Sequence, residues 1–129
     1  RMVAALGGPA DYLEHHARYR IAAATIRPFA APRAGYISGM DCRAVGVAVI
    51  GLGGGRRKAS DVIDLTVGFS HFKPVGTKLA PGDPICLVHA RNTMEADAAI
   101  AALTEAVRLA DEAPALQPVV AARITDASP

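Results

Sequence analysis

Apolar and polar positions alternate with two different periods along this chain, and the switches between them mark the elements. Val3, Ala4, Ala5 and Leu6 form a short apolar run that Gly7-Gly8 terminates, because glycine accepts the left-handed position after a helix end. The run reads as the tail of a helix cut from something longer. Pro9 suits the first turn of a next helix, where its missing N–H is not needed, and Asp11 and Glu14 favour that turn's positive dipole end. The predicted helix covers 9–18. Thr25–Ala31 reads as a strand rich in good strand formers, with Pro28 marking an edge or a bulge. Gly35–Ser38 reads as a second strand.

Asp41 is a favourable N-cap. Ala44, Val45, Ala48 and Val49 follow at helical spacing and predict a helix to Leu52, stopped by Gly53-Gly54-Gly55. Gly46 and Gly51 lower its helix propensity, which close packing against another element would explain. From Val62 to Ala90 the pattern breaks into short β segments between Gly and Pro: Ile63–Val67, Lys78-Leu79 and Ile85–His89. Gly76 to Ile85 reads as two tight turns around an apolar residue, the spacing of a β-sandwich corner in biotin and lipoyl carriers. Met94-Glu95 has no adjacent lysine to modify, so a carrier role is rejected and only the sandwich-like geometry is kept. Thr93–Ala113 predicts the longest helix, capped by Thr93 with Ala96 at N3, carrying an Ile100, Leu103, Val107, Ala110 stripe and ended by Pro114. Val119–Ile124 is a candidate last strand, and 125–129 should fray.

Composition narrows the function classes. The chain has 129 residues, about one domain, and 51% of them are hydrophobic, enough for a core. With no Trp and only 3 Phe and 3 Tyr, the apolar mass is aliphatic and suits thin layers and close helix packing more than an aromatic ligand cleft. The net charge of +2 is too balanced for a nucleic-acid footprint, and Arg56-Arg57-Lys58 is the single basic run. Cys42 and Cys86 lie far apart with no CxxC spacing, which argues against a disulfide framework or a zinc site and for reduced thiols in a cytosolic protein. No apolar run approaches the roughly 20 residues of a membrane span, and no signal peptide is evident.

Candidate chemistry is sparse. The glycine-rich, basic stretch 53–58 is not a phosphate loop. It lacks the Gly-Lys-Ser/Thr ending, and it follows a helix, where carbonyls rather than N–H groups point outward. Its cations suit the negative helix end. Asp61 and Asp64 could act as an acid/base pair, but at a strand entry they read better as caps, turn formers or partners of Arg56 and Arg57. His15 and His16 are adjacent and point to different helix faces, so they make a poor metal pair. His71 and His89 could approach one another in the β region, and His89 reads as a half-buried strand-end residue; nothing marks a nucleophile or substrate beside either. Cys42 sits in the first turn of a helix, a place that lowers a thiol pKa, yet it reads as a bystander.

Several segments, in order and spacing, carry a resemblance: Val3–Asp11 with its Leu6-Gly7-Gly8-Pro9, Gly35-Tyr36-Ile37, Met40–Ala44, Gly51–Lys58, Asp61–Val67 and Pro84–Ala90. Together they resemble the C-terminal part of the thymidine phosphorylases, the bacterial branch of the pyrimidine nucleoside phosphorylases, over nearly the whole chain. The resemblance implies an α+β fold of the α/β-hammerhead or barrel-sandwich-like kind, with short strands, a central helix and a long C-terminal helix. It implies three regions: a helical lead-in over 1–24, the hammerhead domain over 25–113, and a C-terminal strand and tail over 114–129. It also implies that this is a piece of a cytoplasmic, homodimeric pentosyltransferase that cleaves thymidine with phosphate, reversibly, to thymine and 2-deoxyribose 1-phosphate. That enzyme's phosphate-binding and pyrimidine-binding motifs are absent here. No catalytic, cofactor-binding or metal-binding residue is therefore carried over, no cofactor is expected, and the chain alone is expected to be inactive. The expected partner is the remainder of the phosphorylase chain, whose other domains bind phosphate and pyrimidine nucleoside; neither nucleic acid nor membrane is expected. A free-standing hammerhead-type binding or regulatory module without enzyme activity is the alternative.

Overall fold

A computed structural model describes residues 1–19, 21–115, 118, 120, 122 and 123. It is a mixed α+β structure of two small antiparallel sheets and four helices among the described residues. Helix α1 spans Met2–Ala5 and α2 spans Tyr12–Tyr19. Strands β1 (Thr25–Ala30) and β2 (Gly35–Met40) precede helix α3 (Cys42–Leu52). Strands β3 (Gly68–Ser70), β4 (Lys78–Leu79) and β5 (Pro84–Ala90) lead to helix α4 (Thr93–Ala106) and strand β6 (Val107–Ala110). The sheet orders are β1-β5-β3 and β4-β2-β6.

Local chemistry sets most boundaries. Gly7 adopts φ +83 after α1, and the N–H groups of Gly7 and Gly8 close on the carbonyls of Ala4 and Val3, the paired bonds of a Schellman ending. The same pairing ends α3, where Gly53 at φ +95 donates to Ile50 and Gly54 to Val49. Asp41 caps α3 as expected, its carboxylate accepting from the Ala44 N–H at 2.9 Å. Pro28 stands on an edge strand, and the β1–β5 register shifts between Phe29 and Ala30. In the second sheet the ideal Cβ position at Gly35 lies only 2.7 Å from the Ala110 carbonyl oxygen, so a side chain there would force β2 and β6 apart.

The core lies where α4 meets both sheets. Ile37, Leu52, Ile85, Val88 and Leu103 are almost wholly shielded from solvent. From α4 the buried face is Ala96, Ala99, Leu103 and Ala106, with α3 lying alongside. Aliphatic packing of this kind matches the poverty of aromatic residues.

Five expectations are corrected. The long helix ends at Ala106, not Ala113. Val107 and Leu109 alternate with exposed Arg108 and pair with Met40 and Ile37 of β2, so a strand period takes over where the stripe was still compatible with a helix. The cap of α4 is Asn92, not Thr93; its side chain accepts from the Glu95 N–H at 2.9 Å, which places an acid rather than Ala96 at N3. The strand expected over Ile63–Val67 is absent. Asp64 holds Thr66 in a local turn, and β pairing starts only at Gly68. Helix α2 begins at Tyr12 rather than Pro9, and His15 leaves helical geometry within it (φ −129, ψ 29). Gly46 and Gly51 are not close-packing sites, since a Cβ at either meets nothing within 4 Å. The strand expected over 119–124 and the tail 125–129 lie outside the described residues.

Leu103→Ala removes the centre of the shared core and should cost about 3 kcal/mol in urea unfolding, whereas Asn92→Ala, which loses one cap, should cost about 1 kcal/mol.

Candidate functional site

Polar side chains concentrate at one end of the β1-β5-β3 sheet. In the β3–β5 register Gly68 faces His89. Ser70, two residues further along β3, emerges on the same face because strand side chains alternate. Its Oγ lies 2.7 Å from His89 Nε2 and 2.8 Å from Nδ1 of the following His71. A hydroxyl has one proton and two lone pairs, so with both rings neutral it donates to one imidazole and accepts from the other. His71 reaches this position with φ +58, the one positive-φ non-glycine among the described residues. The cluster opens on a cleft of about 350 Å³ whose walls include Tyr19, Leu65, Thr66 and Phe69. His89 is half-buried in β5, as expected, and the approach of His71 to His89 is realised through Ser70.

The glycine-rich loop and its two aspartates form a separate unit. Asp61 Oδ2 accepts the backbone N–H groups of Arg57 and Lys58, both at 2.9 Å. Asp64 Oδ1 accepts from the Thr66 N–H at 2.9 Å and its hydroxyl at 2.6 Å, while the Asp64 N–H donates to the Gly53 carbonyl. Both carboxylates are turn formers, as the sequence favoured, and the Thr66 bonds hold Asp64 below the usual carboxylate range. The expected pairing with Arg56 and Arg57 does not occur. Ion pairs among the described residues are Arg27–Asp97, Arg33–Asp111 and Arg91–Glu95. Arg91 pulls the Glu95 carboxyl down and also faces Asp64, so it links the start of α4 to this loop. The clamped backbone leaves Val62 and Leu65 with 91% and 83% of their surface exposed.

Elsewhere the chemistry is modest. Asp11 accepts from the Tyr19 hydroxyl at 2.6 Å, which raises the phenol's pKa and ties the ends of α2 together. Cys42 lies exposed in the first turn of α3, as expected, and Cys86 is buried, its thiol pushed up to about 11 by desolvation. Among the described residues no three His, Cys, Asp or Glu gather as metal ligands. No described helix is long and apolar enough to cross a membrane.

The family model of the pyrimidine nucleoside phosphorylase C-terminal domain matches residues 36–110, from β2 through β6. This chain belongs to the pyrimidine nucleoside phosphorylase family. Its curated relatives include thymidine phosphorylases of three bacteria. The Burkholderia cenocepacia (strain HI2424) protein is 48% identical over 108 residues, which are 84% of this chain and 24% of the relative. The Sinorhizobium medicae (strain WSM419) protein is 43% identical over 123 residues, 95% of this chain and 28% of the relative. The Agrobacterium fabrum (strain C58 / ATCC 33970) protein is 40% identical over 125 residues, 97% and 28%. The chain thus spans about a quarter of the length of the curated relatives it matches. The phosphorylase resemblance read from Leu6-Gly7-Gly8-Pro9 through Pro84–Ala90 is borne out.

Two measurements check the local chemistry. At pH 8 a disulfide reagent should modify Cys42 in the native protein and reach Cys86 only after unfolding, because the buried thiol forms almost no thiolate there. The charge of Asp64 is favoured in the folded state, so its contribution is full above the ordinary value of 3.8 and is lost as pH falls through the lower folded value. Asp64→Asn keeps the acceptor but not the charge. Its stability deficit in urea should therefore be present at pH 7 and close below pH 3.8.

Proposed function

We propose that this chain is the C-terminal scaffold domain of a thymidine phosphorylase, and that the whole protein cleaves thymidine with inorganic phosphate, reversibly, to thymine and 2-deoxyribose 1-phosphate. The observation that carries this reading is the combination of 40–48% identity to proteins of that name with coverage of only about a quarter of their length. The charge requirements of the reaction support it. A departing pyrimidine anion needs hydrogen-bond donors, and a sugar centre turning cationic needs the phosphate dianion beside it. The basic run at 56–58 follows a helix C-terminus, where carbonyl dipoles oppose an anion. Phosphate and nucleoside are then held by the other domains, and the isolated chain does not turn over.

The finer architecture belongs to the same proposal. Two short-stranded sheets sharing one long helix support the hammerhead, barrel-sandwich-like reading over 25–113. The α1–α2 segment supports a lead-in over 1–24, with residues 114–129 as a separate C-terminal region. The whole enzyme is a cytoplasmic homodimer in this reading, with its dimer contact mainly in domains outside this chain.

Joining residues 1–129 to the N-terminal three quarters of the Sinorhizobium medicae relative, in place of that relative's own C-terminal quarter, should give phosphate-dependent thymine release. The 129-residue chain alone should give none. A folded chimera without turnover would count against the family activity, and turnover by the chain alone would count against the scaffold role.

A further inference from the structure

The Ser70, His71 and His89 cluster has no part in the scaffold role, yet its geometry is particular. Two imidazole nitrogens on different stretches of chain aim at one oxygen, at 2.7 and 2.8 Å. A nitrogen accepting or donating a hydrogen bond points its lone pair or N–H axis at its partner. The place held by Ser70 Oγ is therefore a point that both ring nitrogens face at hydrogen-bond distance.

We propose that His71 Nδ1 and His89 Nε2 form a two-histidine site for a divalent transition-metal ion of the zinc, nickel or copper class, with water from the adjoining cleft completing the shell. Imidazole nitrogen binds zinc at about 2.0–2.1 Å. An ion placed near the present Oγ position thus needs each ring to close by only about 0.7 Å once the Ser70 hydroxyl turns aside. His89 has a fixed backbone, paired to Ile26 of β1 and Gly68 of β3. His71 is exposed and stands just outside the ladder, so its backbone is the freer of the two to adjust. The roughly 350 Å³ cleft beside Ser70 leaves space for water ligands.

The donor set selects the class of ion. Magnesium and calcium require several oxygen ligands, carboxylates above all. The nearest carboxylate along this stretch of chain, Asp64, is already committed to the Thr66 N–H and hydroxyl. Imidazole suits zinc, nickel and copper. With two protein nitrogens the site is open and of modest affinity, and protons compete for both ligands.

Titrating the purified protein with nickel and with zinc at pH 7.5 by calorimetry, with imidazole NMR resonances followed in parallel, tests the assignment. Saturable binding at one ion per chain is expected, with the His71 and His89 resonances perturbed. Affinity should fall at least tenfold in His71→Ala and in His89→Ala, stay unchanged in the double variant His15→Ala/His16→Ala, persist in Ser70→Ala, and weaken at pH 5.5. Because His71 lies exposed outside the ladder, its alanine variant decides the matter even if His89→Ala fails to fold. Absence of saturable binding, binding indifferent to His71→Ala, or binding lost only in the His15/His16 variant would overturn the proposal. Calcium or magnesium binding with equal affinity at the same resonances would do so too.

Discussion

Everything in this domain hangs on the junction at Ala106-Val107. Helix α4 buries Ala96, Ala99, Leu103 and Ala106 and then becomes strand β6 without a loop between them. The helix packs on the β1-β5-β3 sheet and the strand pairs into the β4-β2-β6 sheet, so one continuous segment ties the two β units together, alongside the short β1–β2 and β4–β5 connections. The Asp41 N–H donates to the Ala106 carbonyl at the same point, which brings the start of α3 to the end of α4. Small sheets draw their stability from a hydrophobic face or from packing against a helix, and both of these sheets meet α4.

The same junction explains how much of the fold could be read in advance. Helix starts and stops with local chemistry were legible: Asp41 caps, Gly53 stops, Gly7 stops, and Pro28 announces an edge. Such signals act over four or five residues and need nothing distant. The end of α4 was not legible, because Leu103 and Val107 fit a helical stripe and Val107 and Leu109 fit a strand. Only the presence of β2, whose Met40 and Ile37 offer partners, decides between them. The 61–67 segment failed for the opposite reason. Its apolar residues look like a strand, but Asp64 offers its carboxylate to the Thr66 N–H and hydroxyl, and local hydrogen bonds of this kind compete with ladder formation.

The candidate site was legible in its parts and not in its assembly. His71 and His89 stood out as residues, and their approach could be imagined. Ser70 went unnoticed because its place beside His89 depends on a diagonal relation across β3 and β5, which needs the register to be known. The family, by contrast, was readable from ordered motifs spread along the chain, since such motifs carry information that periodicity does not. Membership names the family, whereas the Ser70, His71 and His89 cluster is defined by geometry alone.

The outer strands give the domain a further property. Among the described strands, those at the sheet borders are β3 with three residues, β4 with two, β6 with four, and β1 with six. Open borders invite strands from other molecules, and short length or a proline discourages them. The longest border strand is the one that carries Pro28, which has no amide hydrogen to offer. Backbone zipping between molecules is thus discouraged at each border of the described strands. Such borders favour contact through side-chain surfaces over strand addition, and they make a detached copy a poor seed for cross-β fibrils.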